Sequence, residues 1–82
     1  MQAHTKIYMS YFGYGIEDVI LCEVCGQRAV DIHHINGRGK GMNVIENLMA
    51  LCRKCHRAAE GLEKTYLHKD VLTQIHDNKL KT

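Results

Sequence analysis

The stretch that decides the fold reads AVDIHHINGRGKGMNVIENLMALCRKCHRAAE and spans residues 29–60. It opens on a short apolar run that ends in two adjacent histidines, His33 and His34. A basic loop with three glycines follows, then an asparagine, a second apolar run and the letters Cys-Arg-Lys-Cys-His. Two apolar runs separated by a glycine-rich loop predict a pair of strands, and the residues after them predict a helix.

The four cysteines form two Cys-x-x-Cys pairs that frame this stretch, Cys22 with Cys25 and Cys52 with Cys55. Two pairs at this separation are typical of one tetrahedral zinc ion held by four thiolates. Such an ion has no open coordination position, so its predicted role is to stabilise the fold and not to catalyse a reaction. Four free core thiols are a poor explanation of this spacing.

The predicted core has the order strand, loop, strand and helix. The first strand covers 29–35, the loop covers 36–43, and the second strand covers 48–51. The helix begins at 53 and ends at about Gly61, because glycine favours the backbone turn that ends a helix.

A further helix is predicted on each side of this core. The first lies around 7–12 and ends at the glycines that follow it. The last covers 69–80 and carries an apolar stripe formed by Val71, Leu72 and Ile75. Between the first helix and the first cysteine lies a group of apolar residues that we expect to pack on the zinc site: Ile16, Val19, Ile20 and Leu21.

Composition limits the class of protein. A chain of 82 residues predicts one domain, 1–82. A core this small often needs a bound metal ion to stabilise the fold. The net charge of +2 is compatible with nucleic-acid binding but does not argue for it. We see neither a signal peptide nor an apolar run long enough to span a bilayer, so we expect a reducing cytoplasm and no membrane partner.

Taken together, these residues resemble the His-Asn-His (HNH) endonucleases that carry a treble-clef zinc site. The resemblance covers about half of the chain, roughly 22–61, and rests on the histidine pair, Asn47, His56 and the four cysteines. It implies an α+β fold, a small zinc-stabilised ββα-metal domain of treble-clef-like form with flanking helices. It also implies a metal-dependent endonuclease that hydrolyses DNA phosphodiester bonds and leaves 5′-phosphate ends.

The resemblance assigns roles to single residues. His34 would be the general base that activates water, which suits an imidazole that titrates near neutral pH, and His33 and His56 would hold a catalytic divalent ion. Asn47 would pin the loop that carries the base, or contact the metal. Glu60 shares a helix face with His56, and as a ligand it would favour Mg²⁺ or Mn²⁺. Structural histidines, an ordinary turn asparagine and a solvated glutamate are the alternatives.

Basic residues concentrate around the motif, and three of them are assigned to DNA phosphates: Arg38, Lys40 and Arg57. The chain shows no added recognition helix, so we expect its intrinsic sequence specificity to be weak. A homodimer or a larger partner would then supply the specificity. We expect the aromatic residues of the first helix in the core, with stacking of a base on Tyr11 or Tyr14 as the alternative. Small proteins of this type are frequent in phages and mobile elements, which would place the activity in the host cytoplasm.

Two other functions remain open from the sequence. A non-catalytic zinc module that binds nucleic acid or a protein partner needs the four cysteines, but it does not need the histidines and asparagine of the motif. A purely structural zinc adaptor predicts neither nuclease activity nor a second metal. Cleavage of DNA in the presence of divalent ions distinguishes an enzyme from both.

Overall fold

The computed structural model describes residues 2–82, which form helices around a two-stranded sheet. In chain order the elements are α1 (Ala3–Phe12), β1 (Asp31–His34), a 3-10 helix (Ile45–Asn47), β2 (Leu48–Leu51), α2 (Arg53–Ala59) and α3 (Lys69–Leu80). The predicted α+β class is confirmed, and so is the core order of strand, loop, strand and helix with a helix on either side. None of the helices within residues 2–82 combines the length and apolar character that crossing a membrane requires.

The second strand of the hairpin is the centre of the structure. It pairs antiparallel with β1, and His34 lies opposite Leu48. All four residues of β2 are fully buried. Because side chains alternate along a strand, Leu48 and Ala50 enter one apolar cluster while Met49 and Leu51 enter the other. Burial on both faces explains why this strand is an unbroken apolar run in the sequence.

Each flanking helix covers one face of the hairpin. Tyr8 of α1 joins the cluster around Leu48, and Leu72 of α3 joins the cluster that contains two of the cysteines. The predicted stripe on α3 is wrong at Val71, which is exposed. Successive helical residues point about 100° apart, so Val71 faces away from Leu72, and the next buried position, one turn on, is His76.

The apolar residues before the first cysteine do not pack on the zinc site as expected. Ile16 is 87% exposed, and Val19 and Leu21 are exposed as well. Ile20 alone is partly buried, and it packs against the Tyr8 cluster on the other face of the sheet. The reason is local geometry: Gly13 ends α1 with a φ of 74°, and the chain then runs irregularly along the surface.

A buried polar network joins the two flanking helices to the hairpin, and sequence reasoning missed it. The Glu23 carboxylate accepts hydrogen bonds from the Tyr8 hydroxyl at 2.6 Å and from the Ala50 N–H at 3.2 Å. Its other oxygen lies 2.8 Å from Nδ1 of His76, whose Nε2 lies 2.6 Å from the Ile45 carbonyl oxygen. Burial alone would lower the pKa of His76, but its hydrogen bonds to Glu23 and Ile45 outweigh burial and raise it. The ring therefore donates from both nitrogens as an imidazolium, paired with the carboxylate.

We predict that His76→Ala lowers the free energy of unfolding by about 3–5 kcal/mol, because it leaves the Glu23 carboxylate buried without its partner. The measurement is urea denaturation of the zinc-loaded protein, followed by circular dichroism. His68→Ala is the matched control, since His68 is an exposed histidine immediately before the same helix. Its effect should stay within about 0.5 kcal/mol. Equal losses in both variants would contradict the structural role of the buried pair.

Candidate functional site

The four cysteines converge in space. Their sulfur atoms all lie within 4.8 Å of one another, and Sγ of Cys25 is 3.6 Å from Sγ of Cys52. The first pair lies in a turn that closes at Gly26, whose φ is 80°. The second pair begins α2, where Cys52 is the N-cap residue and its sulfur accepts a hydrogen bond from the Cys55 N–H. The four side chains are therefore arranged to bind one metal ion.

The pKa values of these thiols are also consistent with the binding of a cation. Burial acts to raise the pKa of Cys22, but N–H groups that point at its sulfur, including that of Cys25, hold the pKa at about 7. Burial and the neighbouring sulfurs raise the pKa of Cys55. One thiolate thus forms readily while further ones are opposed by repulsion. A bound divalent ion removes that repulsion, because a coordinated thiol is deprotonated outright.

A second group of ligand atoms lies where α2 packs against β1. His33 of β1, His56 of α2 and Glu60, immediately after α2, place one nitrogen or carboxylate oxygen each within 4.8 Å of one another. Nε2 of His56 lies 3.1 Å from Oε1 of Glu60, one helical turn later. The structure therefore brings together the three residues that the sequence analysis assigned to a divalent ion.

Asp31 completes this group and was missed by sequence reasoning. Its Oδ2 lies 2.9 Å from Nδ1 of His56, which donates to it, and Nε2 of the same ring lies 3.1 Å from Oε1 of Glu60. At this distance, Nε2 and the Glu60 carboxylate need a proton or a cation between them. Burial, followed by the charge of His56, lowers the pKa of His33, which keeps that imidazole neutral as a ligand requires. The sequence carries a signal for the position of Asp31: it lies two residues before His33 on the same strand, so both side chains share one strand face.

His34 occupies the same cleft from a different side. A cleft of about 260 Å³ is lined by His33, His34 and Arg38 together with the α2 residues of the metal group. Nε2 of His34 lies 2.8 Å from Oδ1 of Asn43, whereas its Nδ1 is buried and has no hydrogen-bond partner among the described residues. The ring of His4, from α1, lies 4.7 Å from the His34 ring between centroids. Neither Asn43 nor His4 carries a sequence signal for these contacts, because both depend on how distant segments pack.

The amide of Asn47 is buried and contacts the backbone of the glycine loop. Its Oδ1 accepts a hydrogen bond of 2.7 Å from the Asn36 N–H. Its Nδ2 donates to the carbonyl oxygens of Gly37 at 3.2 Å and Met42 at 2.9 Å. These bonds hold both ends of the loop.

The three predicted phosphate-binding residues differ in their surroundings. Arg38 lines the cleft beside the histidines, whereas Lys40 is exposed on the loop outside the cleft lining. Nε of Arg57 lies 2.9 Å from Oε2 of Glu63 in an ion pair. Sequence spacing did not reveal this pair, because Glu63 follows the end of α2 and the chain turns back at Gly61.

Comparison with known proteins adds one finding. No curated protein and no solved structure matches the chain. A family model described as HNH endonuclease matches residues 22–61, which contain both cysteine pairs, the hairpin and α2. The helices α1 and α3 lie outside the matched segment. Over residues 22–61, which are 40 of its 82 residues, the chain is therefore similar to the HNH endonuclease family.

Proposed function

We propose that this protein is a metal-dependent endonuclease that hydrolyses phosphodiester bonds in DNA. One observation carries the proposal: a three-residue ligand group, His33, His56 and Glu60, shares one cleft with His34 and Arg38. A zinc module that only stabilises a fold or docks a partner needs none of these five side chains. Phosphodiester hydrolysis needs all their chemical types: metal ligands, a base and a cation for the phosphate.

The cysteine group would hold a structural zinc ion. Four sulfur ligands satisfy the tetrahedral preference of zinc and leave no position for substrate. The free thiols also favour a reducing compartment, and we propose the cytoplasm. This site stabilises the turn at Cys22 and the start of α2 at Cys52, so it acts on the reaction only by holding the cleft in place.

The second group would hold Mg²⁺ or Mn²⁺. Two imidazole nitrogens and a carboxylate oxygen suit such ions, and Glu60 supplies the hard oxygen donor. When bound there, the ion supplies positive charge to the phosphate and the leaving 3′-oxygen. Asp31 orients His56 so that Nε2 faces the ion, in the way that carboxylates commonly orient metal-binding histidines.

His34 would act as the general base. Its Nε2–H donates to Asn43, which fixes the tautomer and leaves the lone pair on Nδ1. Nδ1 is the ring nitrogen without a partner, and we assign to it the removal of a proton from water as the water oxygen bonds to phosphorus. Because Nδ1 is buried, this water has to reach it through the cleft that His34 lines. Asn47 holds the loop that carries Asn43, and Arg38 faces the phosphate from the cleft wall. The 3′-oxygen then leaves and the phosphate remains on the 5′ end.

Arg38 and Lys40 are the basic residues that we propose for DNA phosphates around the cut. Both lie on the loop, and in the described residues neither forms an ion pair within the chain. Arg57 contributes less in this proposal, because Glu63 partly neutralises its charge. Contacts of this kind hold the strand in register without reading its sequence.

The zinc proposal predicts about one tightly bound zinc ion per chain, measured by inductively coupled plasma mass spectrometry. Cys52→Ser should abolish zinc binding and unfold the protein, since metal binding and folding are coupled in domains this small. Arg53→Ser, at the exposed neighbouring position, should keep both zinc and fold. A metal-free, reduced protein with the circular dichroism spectrum of the zinc-loaded form would overturn the proposal.

The catalytic proposal predicts different behaviour for two histidine variants in plasmid cleavage. His34→Ala should lower the initial rate by about 10²- to 10⁴-fold at every metal concentration, because the base is lost. His56→Ala should also lose activity, but higher Mg²⁺ or Mn²⁺ should partly restore it, because the variant weakens only the ion site. His68→Ala, which changes an exposed histidine outside the cleft, is the control and should cleave as the unmodified protein does.

Two outcomes would contradict these assignments. Equal cleavage by the unmodified protein and His34→Ala would remove His34 from the reaction. Rescue of both variants by added metal would show that the base and the ligand have been exchanged. Zinc content and DNA binding should stay unchanged in His34→Ala, which separates a lost base from a lost fold.

A further inference from the structure

The helix α1 lies outside the segment that matches the HNH family, yet it touches the proposed base. His4 in its first turn is 8% exposed, and its ring contacts the ring of His34. One turn later Tyr8 enters the core, so the helix is anchored along its inner face. The outer face of α1 therefore extends from the catalytic cleft at a fixed position.

One side of α1, next to the anchored residues, forms one wall of an open groove of about 600 Å³. The lining consists of Lys6, Ile7, Ser10 and Tyr11 from α1 and of Val44 and Ile45 from the facing segment. Val44 directly follows Asn43, whose side chain bonds to Nε2 of His34. The groove and the cleft share no lining residue, but each wall of the groove begins within two residues of one that contacts His34.

The chemistry of the groove fits a nucleotide. Its walls are mostly apolar, and Lys6 is the single charged residue among the described residues that line it. Tyr11 is 54% exposed, so about half of its surface is open to a ligand. Tyr14, the other aromatic residue considered for base stacking, instead lies parallel to Tyr8 at 6.3 Å between ring centroids. The structure therefore leaves Tyr11 as the ring available to a ligand.

We propose that this groove binds an unpaired nucleotide of the DNA strand a few positions from the scissile phosphate, with its base stacked on Tyr11 and its phosphate near Lys6. The inference rests on the proposed nuclease function. At 1.5 Å per helical residue, Tyr11 lies about 10 Å along α1 from His4. That span corresponds to about three steps of a stacked strand at 3.4 Å per step, and to fewer steps of an extended one.

Stacking of the base on Tyr11 requires the nucleotide to be unpaired. A base within a duplex is already stacked on both sides and presents only its edges in the grooves, so a tyrosine ring can take it only after it leaves the stack. The free energy needed to remove a base from the stack is smallest where that base has no pairing partner. The preferred substrates are therefore DNA molecules with single-stranded nucleotides next to the cut, such as gaps, flaps or frayed ends.

The test is equilibrium binding in the presence of a chelator, so that no cleavage is needed. The probes are a gapped DNA and a fully paired duplex of the same sequence, and the gapped DNA carries 2-aminopurine at one unpaired position. Tyr11→Ala should weaken binding to the gapped DNA by about 5- to 100-fold, because stacking on an aromatic ring contributes about 1–3 kcal/mol per base. It should also remove the quenching of 2-aminopurine and leave duplex binding nearly unchanged.

Two further variants control for the fold and for exposed rings in general. Tyr11→Phe keeps the aromatic face and should bind within about twofold of the unmodified protein. Tyr66→Ala changes an exposed tyrosine that does not line the groove, and it should have no effect. Lys6→Ala should weaken binding to the gapped DNA and reduce its dependence on salt.

Equal effects of Tyr11→Ala on gapped and paired DNA, or no effect on either, would overturn the proposal. A change from dimer to monomer in Tyr11→Ala, with DNA binding unchanged, would overturn it in favour of a second copy of the chain as the occupant. Binding that depends on Tyr11 in a protein that cleaves no DNA would support the groove and contradict the nuclease function. The two proposals therefore fail in distinguishable ways.

Discussion

The convergence of four sulfur atoms at one end of the hairpin is the constraint on which the rest of the structure depends. Cys52 ends the buried strand β2 and also caps α2, so one residue sets both the end of the strand and the direction of the helix. His56 follows four residues later and Glu60 four residues after that, so both lie on one helix face. That face meets β1 at His33. In our proposal, a site for one metal thus positions the ligands for another.

The side chains of β1 point to two faces and have different neighbours on each. Asp31 and His33 share a face and meet α2, where the carboxylate orients His56. His34 faces the other way, towards α1 and Asn43, and still reaches the same cleft because the strand ends at His34 and a turn follows. In our proposal, this alternation separates the base from the metal ligands, so that each has its own supporting residues.

Local sequence signals predicted much of this structure, and contacts between distant segments explain what they missed. Cysteine spacing, the loop glycines and the apolar runs depend on neighbours in the chain, and β2 and α3 lie where they were predicted. The pairings of Asn43 with His34 and Glu23 with His76 join residues on different elements, so no local pattern marks them. For Asp31, strand alternation marks the shared face with His33 but not the contact with His56. The exposure of Ile16 has the same origin, because it depends on where the chain travels after Gly13.

In our proposal, the cleft holds one divalent ion that is separate from the zinc. Titration of the zinc-loaded protein with Mn²⁺, followed by electron paramagnetic resonance of the free ion, tests this directly. We expect about one added Mn²⁺ per chain, loss of that site in His56→Ala, retention in His34→Ala, and binding weakened by about 10- to 100-fold in Asp31→Asn. Absence of Mn²⁺ binding, or a site that His56→Ala leaves unchanged, would contradict it.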